Sequence, residues 1–264
     1  MSSLEAFLLG LVQGLTEFLP ISSSGHLVIA ENLLGIEAAD LTFEVAVHFA
    51  TLIAVLIFFI RTVLSVFLSP VYYLAGNRSD ENSASLRLFF VIVIGTIPAV
   101  IVGLLLKDQI EQAFASTTLV GIMLIVTSAI LFSTRFAKFR STQIDTKIGF
   151  LIGCAQAFAI LPGISRSGST ISAGLLTGVD RERAFDFSFV LSIPAIFGAT
   201  LLTVKDLLEM EQIAIGMEYL IAMAAAFISG YLSLIALRKL VIGGKFHLFG
   251  VYTLIAGLIT IIFL

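Results

Sequence analysis

The chain has 264 residues, 58% of them hydrophobic and 12% charged, with a formal net charge of −3 and a mean hydropathy of +1.08. Soluble domains carry about 25% charged residues, so this composition excludes an ordinary soluble domain and indicates an integral membrane protein. No basic patch lies outside the short loops, and we therefore expect no nucleic-acid partner.

The chain begins with two apolar stretches that are each too short to cross a bilayer. Residues 4–19 are stopped by Pro20, and residues 27–34 form the second stretch. Crossing about 30 Å of hydrocarbon takes about 20 residues. We therefore predict a re-entrant hairpin with the intervening polar segment at its tip. Such irregular backbone survives at membrane depth when it is buried in protein or lines a wet cavity.

Longer apolar stretches follow, and the whole pattern then occurs a second time. A loop is expected over 61–85, a polar connection over 107–117, and a second hairpin from 148–161 and 171–177. The six predicted spans, three after each hairpin, are 43–60, 86–106, 118–133, 187–204, 219–237 and 248–264. The sequence thus predicts an all-α integral membrane protein. It is a single membrane domain, 1–264, made of a first repeat, 1–140, and a second, inverted-topology repeat, 141–264.

The distribution of basic residues predicts the orientation. Three spans per repeat is an odd number, so the two repeats have opposite orientations. Only Lys107 and Lys205 follow spans two and four, and basic residues mark the cytoplasmic side, so both termini are expected outside. The twelve basic residues after spans one, three and five are Arg61, Arg78, Arg87, Arg135, Lys138, Arg140, Lys147, Arg181, Arg183, Arg238, Lys239 and Lys245.

The two polar tips overlay when the sequence is shifted by 143 positions. Ser23 then falls on Arg166, and His26 falls on Ser169. Corresponding breaks in two repeats are a sequence indication of one site built from both. The identical pairs are Ile21 and Ile164, Ser22 and Ser165, Ser24 and Ser167, and Gly25 and Gly168.

Charged and polar side chains at these tips suggest chemistry. Gln13 and Glu17 share one helix face and offer oxygen ligands that suit Mg²⁺ or Ca²⁺, or else they pin the hairpin by hydrogen bonds. The serines of both tips are either plain helix caps or part of a phosphate site at two helix N-termini. Arg166 pairs with Glu17, holds an anionic ligand, or alternates between them.

The histidines leave more than one interpretation open. His26 is either a hydrogen-bonded core residue or a group for acid–base or nucleophilic work. Glu44 and His48 are four residues apart, so they either orient the site or pair with each other.

Three motifs in order resemble the undecaprenyl-diphosphate phosphatase family, also called bacitracin-resistance proteins, over essentially the full length. They are Gln13-x-x-x-Glu17, Ser22-Ser23-x-Gly25-His26 and Pro162-Gly163-x-Ser165-Arg166-Ser167-x-x-Thr170. The resemblance implies hydrolysis of undecaprenyl diphosphate to undecaprenyl phosphate. That reaction recycles the lipid carrier of cell-wall synthesis at the plasma (bacterial inner) membrane.

The resemblance also implies residue roles and a divalent cation, Mg²⁺ or Ca²⁺. Glu17 is the main metal ligand, with Gln13 beside it, and Arg166 binds the diphosphate. Ser23 and His26 are the candidate nucleophile and acid–base group, and attack by water stays open as well. The residues expected to line the phosphate pocket are Ser22, Ser24, Gly25, Ser165, Ser167 and Thr170.

A transporter or flippase for a phosphorylated polyprenyl lipid is the rival interpretation, because inverted repeats with broken helices are typical of secondary transporters. The expected partners are undecaprenyl diphosphate and membrane lipids. The sequence leaves the oligomeric state open, and a homodimer is among the states it allows.

Overall fold

The computed structural model describes residues 1–34, 41–138, 143–209 and 216–264. Arg140 and the predicted repeat boundary at 140/141 lie outside these residues. Short 3₁₀ turns cover Thr134–Phe136 and Phe246–Leu248. The α-helices are α1 (Ser3–Phe18), α2 (Ser23–Leu34), α3 (Leu41–Phe58), α4 (Ile60–Leu74), α5 (Asp80–Leu105), α6 (Lys107–Phe114), α7 (Thr117–Ser133), α8 (Thr146–Phe158), α9 (Arg166–Leu176), α10 (Arg181–Glu209), α11 (Met217–Ile242) and α12 (Phe249–Phe263).

Among the described residues, five helical stretches are long and apolar enough to cross a membrane. They are Asp80–Leu105 (α5), Thr117–Phe136 (α7 with the 3₁₀ turn after it), Arg181–Lys205 (within α10), Met217–Ile242 (α11) and Phe246–Phe263 (α12 with the 3₁₀ turn before it). The pair α3 and α4 adds a sixth span if it is counted as one, and the two helices meet at an angle of 86°. The multi-pass helical architecture is therefore confirmed. The described residues contain helices and turns but no β-strand.

The loop prediction for residues 61–85 is wrong. Most of this segment is helical, because α4 covers Ile60–Leu74 and α5 already begins at Asp80. The helix α4 packs against α5 and buries Val66 and Ser69. Burial of one face of an amphipathic segment stabilises a helix that its sequence alone would not. The connection predicted over 107–117 likewise contains the short helix α6.

The two predicted hairpins are present as pairs of short helices. The first consists of α1 and α2, with 16 and 12 residues, and the second of α8 and α9, with 13 and 11 residues. The two helices of each hairpin pack against each other. All four are shorter than the roughly 20 residues that a span requires. The helix α9 begins at Arg166 rather than at residue 171, because Ser165 caps it at the break itself.

The hairpins pack in a reciprocal way on the long helices. In the first half α1 packs on α11 of the second half, and α8 of the second half packs on α5 of the first. Because α1 and α8 hold the same place in the two halves, as do α5 and α11, the contacts are exchanged between halves. The helices α7 and α12, which also correspond, pack on each other. This exchange agrees with a duplicated architecture, while the inversion of the two repeats stays a prediction.

Glycines make the two hairpin contacts close. A Cβ on Gly10 would lie 2.3 Å from the carbonyl oxygen of Ala222 on α11. A Cβ on Gly153 would lie 2.0 Å from the carbonyl oxygen of Gly95 on α5. Small residues let helix backbones approach where van der Waals packing drives association in a membrane. These glycines therefore set how closely each hairpin packs against its long helix.

We predict that Gly153→Ala lowers the free energy of unfolding by about 1–3 kcal/mol, the usual cost of overpacking. The matched control is Gly198→Ala on α10, where a new Cβ meets no atom within 4 Å. That substitution should be neutral or stabilising, because alanine favours a helix over glycine by about 1 kcal/mol. Thermal unfolding in detergent checks both variants, and equal stability of the two would contradict the close contact.

Candidate active site

The two hairpin tips contact each other at reciprocal positions. A Cβ on Gly25 would lie 3.4 Å from Gly163 Cα, and one on Gly168 would lie 3.4 Å from Pro20 Cβ. The shift of 143 positions exchanges Gly25 with Gly168 and Pro20 with Gly163. The tips predicted to share a site therefore do meet inside the bundle.

Serine caps both tip helices with the same hydrogen bonds. Gly25 N–H donates to Ser22 Oγ at 3.4 Å, and Gly168 N–H donates to Ser165 Oγ at 3.1 Å. The first N–H groups of a helix have no intrahelical acceptor and carry the positive end of its dipole. Each tip therefore presents partial positive charge where the two hairpins meet.

The backbones of the two tips nevertheless differ. Ser22 has a φ of 69°, the left-handed region, whereas the matching Ser165 has a φ of −77°. In the second tip the left-handed residue is Gly163, with a φ of 88°. A non-glycine residue in this region costs about 1–2 kcal/mol. The first tip thus holds a strained serine directly before Ser23.

Glu17 is the centre of the contact between the tips. Its side chain is 8% exposed, and its Oε1 accepts a hydrogen bond from Arg166 Nη2 at 2.9 Å. Its Oε2 accepts from Ser23 Oγ at 2.7 Å and from Gln13 Nε2 at 3.0 Å. His48 Nε2 lies 3.8 Å from the same oxygen. A carboxylate this deep needs paired charge and hydrogen bonds, and all of these are present.

Arg166 reaches the site with one nitrogen still available. Its guanidinium carbon lies 5.6 Å from the centre of the Phe189 ring on α10, a cation–π contact. Nη2 is used by Glu17, whereas Nη1 is buried and has no hydrogen-bond partner among the described residues. A buried donor without a partner costs about 1–3 kcal/mol, so an anion placed there would relieve that cost.

His26 lies at the exposed edge of the site. Its Nδ1 lies 2.8 Å from the carbonyl oxygen of Ser22, so Nδ1 carries a proton and donates it. Its Nε2 is 2.7 Å from the hydroxyl of Tyr252 on α12, and the two rings stack at 14°. Nε2 is therefore the nitrogen that could act as a base, and Tyr252 engages it.

The remaining predicted hydroxyls have internal partners. Ser24 Oγ lies 3.3 Å from Ser22 Oγ, and Ser167 Oγ lies 3.3 Å from Ser165 Oγ. Thr170 Oγ1 donates to the carbonyl of Arg166 at 2.8 Å and contacts Ser188. The structure brings Gln13, Glu17, Ser23 and Arg166 into direct contact. The other hydroxyls hold the helix starts that carry Ser23 and Arg166.

Several residues at the site did not follow from the sequence. Thr127 on α7 accepts a hydrogen bond from Ser165 N–H at 3.1 Å and donates to Gly163 O at 2.8 Å, which pins the second tip. Phe189 and Tyr252 could not be predicted either, because an aromatic residue in an apolar span carries no distinguishing sequence signal. For His48 the sequence allows two roles, to orient the site or to pair with Glu44. His48 donates through Nδ1 to the Glu44 carbonyl at 2.8 Å and directs Nε2 at Glu17.

The oxygen donors beside Glu17 fit a hard divalent cation. Gln13 Oε1 is buried without a hydrogen-bond partner among the described residues, and it belongs to the side chain that donates to Glu17. The part of the chain that the structure describes holds no group of three His, Cys, Asp or Glu residues that could bind a metal. Magnesium sites commonly use one or two carboxylates and complete their coordination with water and phosphate oxygens.

Comparison with known proteins matches residues 6–259 to the family model described as "Bacitracin resistance protein BacA". A relative from Desulforapulum autotrophicum, named undecaprenyl-diphosphatase, is 41% identical over 98% of this chain and 97% of its own length. One of the same name from Methanosphaera stadtmanae is 43% identical over 98% and 97%. "Undecaprenyl-diphosphatase 2" of Bacillus thuringiensis is 39% identical over 99% and 97%.

We predict that Arg166→Met lowers the free energy of unfolding by about 3 kcal/mol, because it leaves the Glu17 carboxylate buried without its ion pair. Adding Glu17→Gln to that variant should restore most of the loss, since the amide needs no counter-charge. Arg78→Met, at an exposed position, is the control. Chemical unfolding in mixed micelles measures these three variants, Glu17→Gln alone and the wild type, and additive effects of the two site substitutions would contradict the pairing.

Proposed function

We propose that this chain, which belongs to the BacA family of bacitracin resistance proteins, is a membrane phosphatase. It hydrolyses undecaprenyl diphosphate to undecaprenyl phosphate and inorganic phosphate. The reaction recycles the lipid carrier of cell-wall synthesis and underlies resistance to bacitracin. The observation that carries the assignment to this site is Arg166, the first residue of α9, whose Nη2 pairs with Glu17 and whose Nη1 is buried without a hydrogen-bond partner among the described residues.

The diphosphate is proposed to bind where the two tips meet. Arg166 Nη1 and the first N–H groups of α2 and α9 offer donors from opposite hairpins. A planar guanidinium suits phosphate oxygens and offsets charge that develops on the transferred group. In this proposal Ser22, Ser24, Gly25, Ser165, Ser167 and Thr170 shape the pocket through the helix starts that they hold.

Ser23 is proposed as the nucleophile. Its Oγ donates to Glu17 Oε2 at 2.7 Å. The candidate nucleophile therefore lies within hydrogen-bond distance of a carboxylate that can accept its proton. Ser23 Oγ attacks the terminal phosphorus while its proton passes to Glu17. The bridging P–O bond breaks, and undecaprenyl phosphate leaves with the electron pair. Water then cleaves the phosphoserine and releases inorganic phosphate.

His26 is proposed as the acid–base group rather than the nucleophile. Its Nδ1 is committed to the Ser22 carbonyl, and its Nε2 is engaged by Tyr252 at the exposed edge. Nε2 can therefore take up a proton from the attacking water in the second step once Tyr252 yields that position. Phosphohistidine formation and direct attack of water on the diphosphate are the two rivals.

A divalent cation, Mg²⁺ or Ca²⁺, is a further part of the proposal, with Glu17 and Gln13 Oε1 as its protein ligands. When bound, it supplies positive charge to the phosphate oxygens. The single carboxylate suits an ion that completes its coordination with the substrate diphosphate.

The topology, the membrane and the assembly are proposals as well. The basic residues support a location in the bacterial inner membrane with both termini outside, and the reciprocal helix packing supports repeats at 1–140 and 141–264. A homodimer is proposed only as one state open to the chain.

The reciprocal helix packing favours the rival function, a transporter or flippase for a phosphorylated lipid.

We predict that the purified protein releases inorganic phosphate from undecaprenyl diphosphate in detergent, that a chelator abolishes the release, and that Mg²⁺ or Ca²⁺ restores it. Arg166→Ala should lower the rate at least about 100-fold, the usual loss for a donor to developing charge. Glu17→Ala should lower it by about as much, because it removes the carboxylate that takes the Ser23 proton. Arg78→Ala is the control and should retain full activity.

A colorimetric phosphate assay gives the rates. Absence of release by wild-type protein would favour the transporter. Normal turnover in either site variant would refute the site, and turnover that persists in chelator would refute the cation.

We also predict that a brief reaction with substrate labelled in its terminal phosphate leaves an acid-stable label on the protein, as phosphoserine does. Ser23→Ala should lose both label and activity, whereas His26→Gln should accumulate label because its hydrolysis is slowed. An acid-labile label would identify His26 as the nucleophile. No label in wild type or in His26→Gln would indicate direct attack by water.

A further inference from the structure

A cavity of about 210 Å³ lies at one end of the bundle, at the termini of four candidate spans. The spans Thr117–Phe136 and Met217–Ile242 finish there, and Arg181–Lys205 and Phe246–Phe263 begin there. Because a span begins and ends at the edge of the hydrocarbon, the cavity lies at the level of the lipid headgroups. The helix α9 runs from Arg166 in the candidate active site to Leu175 at this cavity, so the two places are distinct.

The walls of this cavity are basic. Arg135, Arg181 and His247 line it together with the hydroxyl-bearing Thr134, and none of the described residues that line it is acidic. Arg181 is held in position: its Nη1 donates to the Ile242 carbonyl at 3.4 Å, and a Cβ added at nearby Gly244 would lie 2.9 Å from its Nη2. The cavity therefore brings the positive charges of Arg135 and Arg181 together, and Arg181 is held in place.

Two other arginines at this end of the bundle lie outside the cavity walls. Arg183 pairs with Asp180 at 3.6 Å, and Arg238 pairs with Glu182. Both of these arginines have exposed side chains. The orientation rule for membrane proteins explains an excess of Lys and Arg at one end, but it does not explain why three basic side chains surround one hollow.

Exposed apolar side chains stand next in sequence to two of the residues that line the cavity. Phe136, next to Arg135, is 81% exposed, and Leu248, next to His247, is 53% exposed. The floor consists of buried Leu175, Val241 and Phe246. A basic hollow with exposed apolar side chains beside it matches an amphiphile whose anionic head is joined to hydrocarbon chains.

We propose that this cavity binds the phosphate of an anionic phospholipid. Arg135, Arg181 and His247 contact the phosphate oxygens, and the acyl chains lie along Phe136 and Leu248. Basic pockets between transmembrane helices are a recognised way of holding lipid headgroups. The charge distribution assigns this lipid to the cytoplasmic leaflet. The proposal does not rest on the phosphatase activity, because lipid binding can be measured without turnover.

The test measures binding of short-chain phosphatidylglycerol to the full-length protein in detergent by native mass spectrometry. Arg135→Gln and His247→Gln should each weaken phosphatidylglycerol binding about tenfold, a change of roughly 1.4 kcal/mol. Arg78→Gln is the matched control: Arg78 belongs to the same predicted face, is exposed and stacks on Tyr73 outside any described cavity. Phosphatidylcholine should bind more weakly than phosphatidylglycerol to the wild type.

Two further measurements distinguish binding of a lipid headgroup from binding of free phosphate. Inorganic phosphate at millimolar concentration should not displace phosphatidylglycerol, and Phe136→Ser should weaken lipid binding without affecting any binding of phosphate. Equal phosphatidylglycerol affinity in wild type, Arg135→Gln and His247→Gln would overturn the proposal. So would displacement of the lipid by inorganic phosphate, or unchanged lipid binding in Phe136→Ser.

Discussion

The ion pair between Glu17 and Arg166 is the interaction on which the arrangement of this protein depends. It joins residues 149 positions apart in the chain, one from each hairpin tip. An ionised carboxylate inside a membrane protein is costly unless an opposite charge lies beside it. The two tips therefore meet beside each other, and glycines let the hairpin helices α1 and α8 pack closely on α11 and α5. The close packing of the bundle and the pairing of Glu17 with Arg166 are therefore linked.

The two tips share a serine-capped helix start but carry different side chains at the first helical position. In both, a serine caps the helix and accepts from the glycine three positions later. The first helical residue is Ser23 in one copy and Arg166 in the other, and both contact Glu17. Equivalent positions thus bring a hydroxyl and a cation to opposite oxygens of one carboxylate. The site is asymmetric at further positions as well, because the shift of 143 positions places Glu17 on Ile160 and His26 on Ser169.

Much of this could be predicted from the sequence, because its signals are local or strongly apolar. Short apolar stretches around polar breaks indicate the hairpins, and the overlay by 143 positions indicates that Ser23 and Arg166 are counterparts. The helix α4 could not be predicted, since its stability comes from packing on α5. Thr127 and Phe189 lie in apolar spans, and only the folded chain brings them to the second tip and to Arg166. The left-handed φ of Ser22 could not be foreseen either, because its counterpart Ser165 lacks it.

The neutrality of the paired site has a kinetic consequence. Because Glu17 cancels the charge of Arg166, the pair without a bound cation exerts little attraction on an anion that is farther away than contact distance. What remains is the unpartnered Nη1 and the helix N-termini, which act over a few ångströms. In the proposed reaction a cation completes its coordination with the diphosphate, so the site exerts little long-range steering until the lipid is in place. Capture of the proposed substrate then depends on lateral diffusion of the lipid within the bilayer, and it is correspondingly insensitive to ionic strength. A soluble phosphate gains little long-range attraction from such a site.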